Sequence, residues 1–88
     1  MDIIWQKEVA NITIRLSQLP PGKSGIVKAV VSEGPVRRRL FDLGFTPGAV
    51  IENLRYSPSG NPIAYLVRGT VIALRKSEAD TIVIEVKD

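Results

Sequence analysis

Cysteine and histidine are both absent from this 88-residue chain. Without cysteine there is no disulfide, thiolate metal site, thiol nucleophile or redox switch, and cytosolic folding is the expectation. Without histidine, the side chain most used as a general base near neutral pH and as a ligand for borderline metals is missing as well. Long apolar runs are lacking too: the longest, Ile63–Val67, falls far short of the roughly 20 residues a membrane helix needs. The first residues, MDIIWQKEVAN, carry neither a basic start nor a long apolar stretch, so neither a membrane span nor a secretion signal is expected.

What is present describes one small domain, because a chain of this length at 44% hydrophobic and 24% charged residues cannot divide its apolar side chains between two cores. It buries only about 60–65% of its unfolded surface, which excludes doubly wound sheets and eight-stranded α/β barrels. The net charge of +3 is local: without Arg37, Arg38 and Arg39, nine basic residues balance nine acidic ones.

Six prolines and seven glycines divide the chain into short apolar segments at the spacing of a small all-β domain. Ile12–Leu16 alternates and reads as a first strand, closed by the turn SQLPPG. Ser24–Ser32, rich in β-branched residues, reads as a second strand buried over most of its length. The period then changes: Val36, Leu40 and Leu43 fall at i, i+4 and i+7, which predicts a helix over Pro35–Leu43 with proline in its first turn. Gly44 stands where a helix stops in a left-handed residue, Phe45 is placed to fold back onto Leu40, and Thr46-Pro47-Gly48 reverses the chain.

Ala49–Tyr56 is the next strand, and Ser57 to Pro62 (SPSGNP) is a loop. Ile63–Val67 and Val71–Leu74, joined through Arg68-Gly69 as a tight hairpin, complete a meander. Lys76–Asp80 reads as a helical turn with a weak capping box between Ser77 and Asp80. Thr81–Val86 alternates and is placed to pair with the first strand and close a barrel.

Catalysis is tested by elimination. No serine or threonine has a recognisable base beside it, and the glycines never form GxGxxG or GxxxxGK, so no phosphate cradle is written. Oxygen ligation of a metal would need Glu33, Asp42, Glu52, Glu78 and Asp80 to converge from separate elements, and solvated carboxylates are the simpler reading. The arginine run is the unusual feature. Arginines near a helix start and Asp42 near its end both oppose the macrodipole, a local violation of the kind that marks functional sites. The plainer alternative, a solvated face helped by an Arg38–Asp42 pair at i, i+4, stays open beside it. Three arginines spread around some 200° of a helix place at most two on one ligand, which suits an anionic protein surface or headgroups better than base reading.

The segments RRRLFDLGFTPG (Arg37–Gly48) and NPIAYLVRGTVIALRKSEADTIVIE (Asn61–Glu85) together resemble the FeoA family, the small ferrous iron transport protein A. The likeness joins the basic helix start, the Leu-Gly-Phe-Thr-Pro-Gly stop, the Ser-Pro-Ser-Gly-Asn-Pro loop, the Val-Arg-Gly hairpin and the Ala-Leu-Arg lead into the polar turn. It implies a small SH3-like β-barrel of five to six strands with one inserted short helix and a second helical turn, over residues 12–88, behind an N-terminal extension of residues 1–11. It also implies a non-enzymatic, cytosolic partner of FeoB, the membrane protein that moves Fe²⁺ and carries a G-protein domain. The expected partner contacts are Arg37, Arg38, Arg39, Leu43, Phe45 and Arg68, and the expected structural turns are Gly44, Pro47, Gly48 and Gly69. No cofactor is expected. A small basic barrel binding nucleic acid, and a carboxylate metal sensor built on Glu52, Glu78 and Asp80, are the alternatives from other classes.

Overall fold

The computed structural model describes residues 12–56 and 58–87. The segment 1–11, with Ile3, Ile4 and Trp5, lies outside the described residues. In chain order the elements are β1 (Thr13–Arg15), a 3₁₀ turn (Leu16–Gln18), β2 (Ser24–Val30), α1 (Gly34–Asp42), β3 (Val50–Tyr56), β4 (Ile63–Val67), β5 (Thr70–Leu74), α2 (Lys76–Ala79) and β6 (Ile82–Lys87). The strands form one antiparallel sheet in the order β1-β6-β2-β3-β4-β5.

The expected return of the last strand onto the first is present, with Thr13 opposite Glu85 and Arg15 opposite Val83. The closed barrel is not: among the described residues β1 and β5 are the two edges of the sheet. The first strand stops after three residues because the chain tightens at Leu16, where the Gln18 side chain accepts the Arg15 N–H at 2.8 Å. β5 in turn runs directly into α2, so neither edge extends far enough to meet the other.

One face of the sheet is the core. Alternation in β4 sends Ile63, Tyr65 and Val67 inward, and β6 adds Ile82 and Ile84; all five are buried, together with Leu16, Leu19, Val27, Leu40, Phe45, Ile51 and Leu74. Phe45 meets Tyr65 edge to face, with ring centroids 6.4 Å apart. Two bulges interrupt the alternation. A register shift between Val27 and Ala29 leaves Lys28 as the extra residue of β2, and another between Asn53 and Arg55 leaves Leu54 as that of β3. Bulging is why Lys28 and Ala29 are exposed in succession before the buried Val30, and why Leu54 is exposed.

Helix α1 begins one residue before the expected Pro35 and ends at Asp42. Its stop is a Schellman motif: the Phe45 N–H donates to the Leu40 carbonyl and the Gly44 N–H to the Phe41 carbonyl, each at 3.0 Å, with Gly44 at φ 107°. Thr46 to Ala49 is then a type II turn, with Pro47 second, Gly48 third at φ 92°, and the Ala49 N–H bonded to the Thr46 carbonyl at 2.9 Å. Arg68 (φ 51°) and Gly69 (φ 81°) make the two-residue turn between β4 and β5, both left-handed as a type I′ hairpin requires. The capping box of α2 differs from the expected Ser77–Asp80 pair. Glu78 caps it instead, its Oε1 accepting the Arg75 N–H at 3.0 Å, because the helix starts at Lys76 and only the third residue reaches back that far.

Candidate basic face and hairpin edge

The three consecutive arginines of α1 have three different environments, set by the 100° step of the helix. Arg37 lies over the ring of Phe41, one turn on, with its guanidinium carbon 5.1 Å from the ring centroid. Arg39 points the other way and forms an ion pair and hydrogen bond with Glu78 of α2. Arg38 projects between them and, among the described residues, has no ion-pair partner; the expected pairing with Asp42 is not formed. A shallow groove of about 400 Å³, lined by Gly34, Arg37, Arg38, Phe41 and Asp42, follows this exposed face.

The remaining expected contacts divide. Arg68 is exposed in the hairpin and donates through Nη2 to Thr46 Oγ1 at 3.1 Å. The helix stop and the hairpin touch: a β-carbon at Gly44 would lie 3.0 Å from Val67 Cγ1 and 3.5 Å from Arg68 Cδ. Arg68 is therefore fixed beside the end of α1, a juxtaposition of residues far apart in the chain. Leu43 is half-buried against the core. Phe45 must be removed from the contact set, since its side chain is 0% exposed and occupied by Tyr65 and the core. The Schellman bond that carries it back over Leu40 is also what buries it.

The carboxylates considered as metal ligands do not converge. Glu78 uses one oxygen for the Arg75 N–H and the other for Arg39. Asp80 accepts from Ser17 Oγ, and its carbonyl accepts from Arg15 Nη1 at 2.8 Å. Glu52 lies on β3, and Glu85 pairs with Lys28 at 3.3 Å. Among the described residues no three acidic side chains are grouped. The Arg39–Glu78 pair spans 39 positions and joins elements read separately in the sequence, so no local signal announces it.

Comparison with known proteins agrees with this architecture. The chain is 37% identical to FeoA of Chlorobium tepidum, whose solution structure superposes with a TM-score of 0.80 over 85% of this chain and 71% of that one. It is 35% identical to FeoA of Stenotrophomonas maltophilia, solved as a zinc complex and described as a prokaryotic SH3 domain protein, with a TM-score of 0.73 over 81% of this chain and 88% of that one. A Porphyromonas gingivalis protein that fuses Fe²⁺ transport protein A to the Fe²⁺ transporter FeoB is 29% identical over 72 residues, which are 82% of this chain but only 8% of that protein. No helix among the described residues is long and apolar enough to cross a membrane. With residues 14–86 matching the FeoA domain from the first strand through the last, the chain belongs to the FeoA family.

Proposed function

We propose that this chain is a non-enzymatic, cytosolic accessory protein of ferrous iron uptake. It acts by docking residues 12–88 on the cytosolic part of a FeoB-type transporter. The observation that carries the reading is the fusion relative, in which a segment similar to this chain and an Fe²⁺ transporter share one polypeptide. Covalent linkage of two modules makes their encounter intramolecular and raises effective concentration to about the millimolar range, which is useful when the two parts act together.

The docking surface is the exposed side of α1, where Arg38 has no ion-pair partner among the described residues and Arg37 lies over the Phe41 ring, with Arg68 at the helix end. Guanidinium groups so placed suit an acidic protein surface. Titration of the chain against the cytosolic part of a cognate FeoB-type transporter, with and without guanine nucleotide, tests the reading. Binding is expected in at least one nucleotide state, and Arg38→Glu weakens it about tenfold or more, since reversing a rim charge sets like charges against each other. Absence of binding in every state removes the proposal.

A further inference from the structure

Among the described residues, β5 is an edge of the sheet with no strand beyond it. Its five residues, Thr70–Leu74, contain no charge, no proline and no bulge, and their register with β4 is unbroken from Val67 opposite Thr70 to Ile63 opposite Leu74. Exposed edges are ordinarily blunted by those devices, because they otherwise pair with any available strand. The other edge, β1, is short and ends in Arg15, whose guanidinium is engaged by the Asp80 carbonyl.

The hairpin geometry says which backbone groups are free. A two-residue type I′ turn makes Val67 and Thr70 the closing hydrogen-bonded pair, so Tyr65–Ile72 and Ile63–Leu74 are also bonded pairs. The N–H and C=O groups of Val71 and Ala73 therefore point away from β4, and among the described residues they meet no other partner. The side chains of the same two residues face solvent, Val71 at 62% exposure. Arg75 continues the extended path at φ −68° and ψ 148°, and its N–H, next in line on this edge, is taken by the Glu78 carboxylate. An acceptor from another element thus already serves the third position of the row.

Beside Ala73 lies a groove of about 420 Å³ lined by Arg39, Asn61, Pro62, Ala73, Arg75 and Glu78. Arg39 and Glu78 neutralise each other there, and the Arg75 guanidinium has no carboxylate partner among the described residues, so the groove is net positive.

We propose that β5 is a docking edge for an extended acidic peptide segment. The segment adds antiparallel as a seventh strand, with β-branched residues opposite Ala73 and Val71 and an acidic residue two positions earlier, opposite Arg75. A second copy of this chain fits worse. Antiparallel pairing of two β5 strands about Ile72 sets Arg75 next to Arg68 of the other copy at both ends, where like charges repel.

The probe is the acetylated, amidated pentapeptide Glu-Thr-Val-Thr-Val, titrated into the full chain while backbone amide resonances are followed by NMR. Saturable shifts at Val71 and Ala73, with a dissociation constant of about 1 mM or tighter, are expected. N-methylation of both valines, which removes the donors to the free carbonyls, abolishes them, and lysine in place of the glutamate weakens binding about tenfold. Ala73→Pro removes an outward N–H not used by β4, so it abolishes binding while the fold persists. Should that variant unfold, the N-methylated peptide on the unaltered chain decides. The proposal is overturned by no saturable shift at these two amides, by binding indifferent to N-methylation or to the lysine exchange, by shifts confined to α1, or by a dimer through β5 that forms without peptide.

Discussion

Gly44 and Gly48 show how much a single residue's requirement depends on its neighbours. Both sit at φ values in the left-handed half of the map, 107° and 92°, where a side chain costs roughly 1–3 kcal/mol. A β-carbon at Gly48 meets nothing within 4 Å, whereas one at Gly44 comes to 3.0 Å from Val67 Cγ1. Gly48→Ala is expected to lower stability by about 1 kcal/mol, and Gly44→Ala by more, because strain and crowding add there. Thermal denaturation separates them: about 1 kcal/mol in a domain of this size moves the midpoint by roughly 4–8 °C. Equal midpoints would mean that Val67 yields without cost. Gly25 carries a different constraint, since its missing β-carbon would fall 2.6 Å from Ile84 Cδ1 across the β2–β6 pair. Nothing in its sequence neighbourhood distinguishes it from a turn glycine.

At the scale of elements, the bond between Arg39 and Glu78 is what relates α1 to α2. The pair is partly exposed, with side chains 52% and 20% accessible, so its loss in Arg39→Gln is expected to remove only about 0.2–1 kcal/mol, and less in high salt. Glu78→Ala should be the more harmful change, by about 1 kcal/mol beyond that, because it also strips the cap from Arg75. Chemical denaturation of both single variants and the double variant gives the coupling energy; a value of zero would show that the helices are held only by packing. The division of labour within α1 follows. Arg39 serves internal structure, so its substitution tests stability, whereas Arg38 is the residue whose substitution tests binding. The helix reading from i, i+4 and i+7 spacing placed all three arginines on the surface, but that period alone carries no information about which one meets α2.

For the whole molecule, the same division bears on charge. A sequence pI near 9.6 and a run of three arginines suggest a polyanion binder. In the folded chain, Arg39 is matched by Glu78, and the other two arginines lie on one narrow face. With Arg68 at the helix end, at most about three phosphates can be met together on this surface, which predicts a log–log salt slope for DNA or RNA binding no steeper than about −2.7. Fluorescence titrations at several salt concentrations measure it, and a slope of about −4 or steeper would restore the nucleic-acid reading.

Local sequence carried the elements and their stops: the apolar run of β4, the alternation of β6, the Leu-Gly-Phe stop with its Schellman closure, the Pro47-Gly48 turn and the Arg68-Gly69 hairpin. Each depends on interactions within a few residues, so the necessary information is local. The bulges at Lys28 and Leu54, the edge position of β5 among the described residues, the burial of Phe45 and the Arg39–Glu78 bond arise only once distant segments meet. Asn53 is the clearest case. It reads as an ordinary polar position in a strand, yet it is fully buried, its amide donates to the Leu19 carbonyl at 2.7 Å, and its backbone bonds Gly22 and Lys23. A buried amide is tolerated where a distant segment brings a carbonyl to meet it, and that meeting is a property of the folded chain rather than of any stretch of it.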